Sequence, residues 1–187
     1  MRYFFGFLLA ILLIVVTFVL VLRGFHSNHA EQSTTTPLTS YATTDTTVQF
    51  TDDGPVTADQ THEGLRINIG QYASTIQIYQ GYQNDITSSK TFENNPVAYG
   101  TFLRAIELLD YTSGINNPGA ALADPRGTCP TGQIFTFQII SGDGSNIQNY
   151  WTSSCGGGTF KGNEQAIMNL FQQQIPNYPN IAGNVSL

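Results

Sequence analysis

The chain has 187 residues, with 7 Lys and Arg against 13 Asp and Glu, for a net charge of −6. Past Gly64 the basic residues are Arg66, Lys90, Arg104, Arg126 and Lys161; they are outnumbered by acids and form no stripe, so nucleic acid is excluded as a partner. With only 2 Cys, a site built from several thiolates is excluded as well.

Residues 3–22, YFFGFLLAILLIVVTFVLVL, carry no charge and are bracketed by Arg2 and Arg23. A helix of that length rises about 30 Å, the thickness of a bilayer's hydrocarbon. A secretory signal has an apolar core of about 7–15 residues and a small-residue cleavage site. Here the run is longer and ends in Val21-Leu22-Arg23, so residues 1–25 read as an uncleaved signal anchor, with a cleaved signal as the alternative. Each flank offers one Arg, and the N-terminal amine tips the balance toward a cytoplasmic N-terminus and an extracytoplasmic C-terminal domain.

Residues 26–63 are dominated by Ser and Thr, in runs such as Thr34-Thr35-Thr36 and Thr43-Thr44-Asp45-Thr46-Thr47. Such a stretch buries too little apolar surface to offset its ordering entropy, and it is expected as a flexible stalk, with Val48-Gln49-Phe50 as a possible short strand. Residues 64–187 make one domain, large enough for a core.

Within it, Leu65–Ile69 alternates as a strand, and Thr75–Tyr82 with Ile86–Phe92 reads as a hairpin. A helix follows, with Ala98, Phe102, Ile106 and Leu109 on one stripe, Asn95 as N-cap and Pro96 in the first turn. A second hairpin, Gln133–Ile140 with Asn146–Ser153, turns at Asp143-Gly144, a pair suited to positive φ. A second helix carries Ala166, Ile167, Leu170, Phe171 and Ile175, with Asn163 as its cap and Pro176 as its stop. Thr91–Ala98 and Thr159–Ala166 share Thr, Phe, Asn and Ala at a constant offset, an internal repeat. The predicted fold class is α+β: behind the transmembrane helix, an antiparallel sheet with two helices on one face, in the order β-ββα-ββα.

Cys129 and Cys155 flank the second hairpin, and its turn brings them into register. With the slack of Pro130 and Gly132 their Cα atoms can approach to about 5.5 Å. A disulfide is expected, two buried free thiols being the alternative; it implies an oxidising, extracytoplasmic space.

Strand alternation points Ile76 and Ile78 inward and Gln77 and Tyr79 outward; Phe135, Phe137 and Ile139 in, Thr136 and Gln138 out; Ile147 and Trp151 in, Gln148 and Tyr150 out. Gln77, Tyr79, Gln138, Gln148 and Tyr150 form the candidate binding face, against the plainer reading of a solvated sheet surface. No catalytic residues are predicted, because His26, His29 and His62 all fall in or beside the stalk and leave the domain without the commonest general base. No metal or other cofactor is predicted: His26 and His29 lack a third ligand, and Gly156–Gly162 lacks the phosphate-loop order. The expected function is a single-pass surface protein, bound to the membrane through residues 3–22, whose domain binds a protein or envelope component. A structural subunit of a membrane complex, with Gly6 and Ala10 allowing close helix approach, is one alternative. A hydrolase of extracellular polymers using two carboxylates is the other; a cleft holding two acids in opposed environments would favour it.

Overall fold

The computed structural model describes residues 36–120, 123–183 and 185. The expected span at 3–22, His26 and His29 lie outside the described residues. Among the described residues no helix is long and apolar enough to cross a membrane.

The elements in chain order are β1 (Thr46–Asp53), β2 (Glu63–Gly70), β3 (Ala73–Gln80), β4 (Asp85–Glu93), α1 (Pro96–Glu107), α2 (Pro125–Thr128), β5 (Ile134–Ser141), β6 (Asn146–Ser153), α3 (Glu164–Gln173) and α4 (Tyr178–Ala182). The strands form one antiparallel 6-stranded sheet in the order β4-β3-β2-β1-β5-β6. The fold is α+β.

One strand comes from the stretch expected as a stalk. β1 lies between β2 and β5 and joins the two halves of the sheet. Its threonines lower its hydrophobicity but are β-branched and suit a pleated surface, and Val48 and Phe50 on one side supply the core residues. Order begins still earlier: a 3-10 turn at Leu38–Thr43 buries Leu38, whose N–H donates to Glu107 Oε1 at 3.3 Å. The expected boundary at residue 64 is therefore displaced to Leu38 or before.

The helices start where side chains satisfy free N–H groups. Asn95 accepts from the Ala98 N–H at 3.0 Å, and Asn163 from the Ala166 N–H at 3.2 Å. α1 buries Tyr99, Phe102, Leu103 and Ile106, and α3 buries Ile167, Met168 and Phe171. These pack with Val48, Phe50, Leu65, Ile67, Ile69, Phe137 and Ile139 of the sheet in one core. Phe171 sits at its middle, with ring centroids 5.6 Å from Phe50 and 5.2 Å from Phe102. Each such side chain contributes about 1.5–3 kcal/mol by leaving water.

Cys129 and Cys155 form a disulfide with Cα atoms 5.7 Å apart, closing the open end of the β5–β6 hairpin. Gly132 is required there, since a Cβ would lie 2.8 Å from Cys129 Sγ and 2.2 Å from Ser154 Oγ.

The faces of β6 are the reverse of those expected. Phe137 pairs with Tyr150 and Ile139 with Gln148, so Tyr150 and Gln148 join the helix side, while Trp151 pairs with Thr136 on the other. Tyr150 packs 6.1 Å from Phe160 and donates its hydroxyl to the Thr112 carbonyl at 3.1 Å. The register is set by β5, whose Phe135, Phe137 and Ile139 must face the helices. An irregularity at Ile139/Ile140 lets Ile147 pack against the core as well.

Candidate functional site: a polar cleft at one end of the open sheet face

On the side away from α1 and α3, cross-strand pairing sets Tyr79, Gly64, Asp53 and Ile134 in one row over β3, β2, β1 and β5. The next row holds Arg66, Thr51 and Thr136. Gly64 matters because it has no side chain: a Cβ there would fall 2.1 Å from Tyr79 Cζ. Tyr79 therefore lies across Gly64 and donates its hydroxyl to Asp53 Oδ1 at 3.1 Å. The Arg66 guanidinium stands over the Tyr79 ring at 5.4 Å.

Two connections fold over this row. The β1–β2 loop carries His62, only 1% exposed. Its Nδ1 lies 3.1 Å from the Pro55 carbonyl and its Nε2 2.9 Å from Asp53 Oδ1. Its ring stacks on Tyr82 with centroids 4.2 Å apart and planes 13° from parallel. Tyr82 in turn ties the β3–β4 turn to that loop, donating to the Thr57 carbonyl at 2.9 Å. The second connection brings α2. Asp124 caps it by accepting from the Arg126 N–H at 2.9 Å, and grips the same residue's guanidinium at 2.9 Å (Nε) and 2.6 Å (Nη2). Arg126 also lies over the Tyr82 ring, 4.5 Å from its centroid. The two connections meet where the Val56 N–H donates to the Pro130 carbonyl at 2.9 Å, one residue from Cys129.

Between them is a cleft of about 150 Å³, lined by Asp53, His62, Tyr79, Tyr82, Asn84, Asp124 and Arg126 over a floor of Thr51, Thr136 and Ile134. Its protons follow from its partners. A carbonyl only accepts, so His62 Nδ1 carries hydrogen toward Pro55. Nε2 and Oδ1 at 2.9 Å cannot meet lone pair to lone pair, so one proton lies between them. The Asp53–His62 pair is then neutral overall, whichever atom holds that proton. Asp53 Oδ1 takes both hydrogen bonds, and among the described residues none engages Oδ2. Burial pushes the Asp53 carboxyl up, against the pull of His62 and Tyr79, and the Asp124 charge adds to the push. Hydrogen bonds from Arg126 hold Asp124 below the usual range. The two acids of the cleft thus sit in opposed environments.

The five residues of the expected binding face do not come together. Tyr79 faces away from the helices as expected, but it is buried and serves the cleft. Gln77 shares that side, half-buried beside Arg66. Gln138 is buried in a hydrogen-bonded row, accepting from Gln49 Nε2 at 2.7 Å and donating to Asn146 Oδ1 at 3.1 Å. Gln148 and Tyr150 are on the helix side. The residues that reasoning from sequence missed are Asp53, His62, Tyr82 and Arg126. Asp53 and His62 fell inside the supposed stalk, and the available signal was the acidic Asp52-Asp53 followed by a Gly-Pro turn after a β-branched run.

Comparison with known proteins finds no matching family model, no similar curated protein and no similar solved structure.

Proposed function

We propose that this chain is a single-pass membrane-anchored protein whose disulfide-stapled domain is held outside the cytoplasm and binds a protein or envelope component in the cleft around Asp53, His62 and Arg126. The observation that carries the reading is the cleft itself: a His buried at 1% exposure, hydrogen-bonded to an acid whose second oxygen no other described residue engages, under two loops pinned to each other. A few polar groups held in place in a concave site are what orients a ligand, and here their hydrogen bonds support one another. The apolar run at 3–22 supports the anchor, and the Cys129–Cys155 bond supports an oxidising compartment.

Two measurements on whole cells test this. Membrane-impermeant alkylation is expected to label the cysteines only after reduction, without opening the cells; labelling that needs lysis and no reductant overturns the extracytoplasmic placement. A photo-crosslinking residue at position 84 is expected to capture envelope material, with Arg126→Ala abolishing the adduct. Equal yield from the variant overturns the cleft as the site.

A second reading has an observation behind it. Asp53, raised by burial, and Asp124, lowered by Arg126, share one cleft, and a pair of acids in opposed environments is one element of acid–base hydrolysis of a glycosidic bond. Release of new reducing ends from envelope polysaccharide, lost in both Asp53→Asn and Asp124→Asn, distinguishes it from binding alone.

A further inference from the structure

We infer that the cleft recognises a neutral, polyhydroxylated group, the terminal ring of a saccharide; this rests on the cleft being the binding site. Charge decides first. The Asp53–His62 pair is neutral with its shared proton, and Asp124 is matched by the Arg126 guanidinium at 2.6 and 2.9 Å. Among the residues that line the cleft, an ammonium would meet no uncompensated negative charge and a phosphate or carboxylate no free cation; Arg66, over the Tyr79 ring in the next row, is not one of them. Desolvating an ion without a counter-charge is costly, so both ionic classes are disfavoured.

The hydrogen-bonding groups point the same way. Among the described residues none engages Asp53 Oδ2, which can accept, and the Asn84 amide both donates and accepts. The Thr51 and Thr136 hydroxyls line the floor, and Thr51 already accepts from Gln49 Nε2 at 3.4 Å. Groups that donate and accept at neighbouring positions match a ring of hydroxyls, each of which does both. Ile134 gives the C–H side of such a ring an apolar contact. The size agrees: about 150 Å³ is below the range of a drug-sized pocket and suits a single ring rather than a longer ligand.

The full chain, in nanodiscs of phosphatidylcholine and labelled with ¹⁵N, is titrated separately with three probes: a panel of neutral hexoses and N-acetylhexosamines, n-butylammonium, and inorganic phosphate. The expected result is that a neutral sugar shifts the amides of Asn84, Ala123 and Arg126, with a dissociation constant in the millimolar range. Asn84→Gly, which suits the positive φ of 59° there, should weaken it roughly fivefold with the melting temperature unchanged. Asp53→Asn should weaken it further. Shifts of the same amides by butylammonium or phosphate but by no sugar overturn the ligand class and leave the cleft as the site. Silence from all three probes, or sugar shifts that neither variant alters, overturns both.

Discussion

Asp52 offers the sharpest test of the packing described above. It lies on the helix side of β1, between Leu65 and Phe135. Its Oδ2 accepts a single long bond from Gln133 Nε2 at 3.4 Å, and its Oδ1 is buried without a partner among the described residues. Burial, with a smaller push from the Asp53 charge, raises its carboxyl from 3.8 to about 7. The folded state therefore holds a proton that the unfolded chain releases near pH 3.8, and stability falls as pH rises from there through 7. About three pH units at roughly 1.36 kcal/mol each set a ceiling near 4 kcal/mol, and side-chain relaxation and water entry reduce it to about 2 kcal/mol. Asp52→Asn keeps the shape and removes the charge. It should exceed the wild type by about 0.7 kcal/mol at pH 5, where over a third of the loss has already accrued, and by about 2 kcal/mol at pH 8, a rise of roughly 4–8 °C in Tm. The assay is thermal unfolding of the full chain in nanodiscs, followed by circular dichroism at pH 5, 6, 7 and 8. Asp124 and Asp143 are held below the ordinary range and stay ionised across this window. Asp53 leaves a residual slope of the same sign. A variant that loses as much stability between pH 5 and 8 as the wild type does would refute the assignment of the burden to Asp52.

Other substitutions probe the cleft and its frame. Gly64→Ala puts a Cβ where Tyr79 lies and should cost about 3 kcal/mol in chemical denaturation; a loss under about 1 kcal/mol would mean Tyr79 has room to move. Tyr79→Phe removes only the donor to Asp53 and should cost about 1 kcal/mol while leaving the fold intact by circular dichroism, whereas Tyr150→Ala should cost about 3 kcal/mol, since that ring is in the core. If Tyr150→Ala leaves the melting temperature unmoved, the face assigned to β6 is wrong. Replacing Cys129 and Cys155 together by Ser should cost roughly 3 kcal/mol, and equal midpoints with and without reductant in the wild type would count against the bond.

The parts of the fold that were legible in the sequence are those with a local cause. Asn95 and Asn163 announced the two long helices because a capping side chain is a local device, and Gly144 announced the second hairpin because its turn takes a positive φ of 84° there, though Asp143 does not share it. The pairing of Cys129 with Cys155 followed from that hairpin. What failed depended on distant partners. β1 is a strand because β2 and β5 lie on either side of it, and its own composition, Thr-Thr-Val-Gln-Phe-Thr, resembles the Ser/Thr-rich sequence before it. The phase of β6 was misread because both of its sides carry an aromatic, Tyr150 and Trp151, and only pairing with β5 selects between them. Tyr79 was placed on the correct side but taken as exposed; nothing local says that the residue opposite it is Gly64. His62 looked peripheral for the same reason.

The position of the disulfide connects stability to the cleft. Six consecutive residue pairs from Ile134 to Ile139 already hold β5 to β6, so the hairpin itself needs no staple along its length. The bond sits past the end of that ladder, where the chain arrives from α2. From there it fixes Cys129 and, through the Val56–Pro130 hydrogen bond, the neighbouring loop that carries His62. Arg126 and Asp124 are exposed and belong to a single helical turn, which would not persist in isolation. Their place over Tyr82 depends on that anchorage. One wall of the cleft is thus set by the sheet row Asp53, Gly64 and Tyr79, and the other by a short segment whose geometry the disulfide preserves. Loss of the bond should therefore loosen the Arg126 wall before it disturbs the sheet, since local opening begins where few contacts hold the chain.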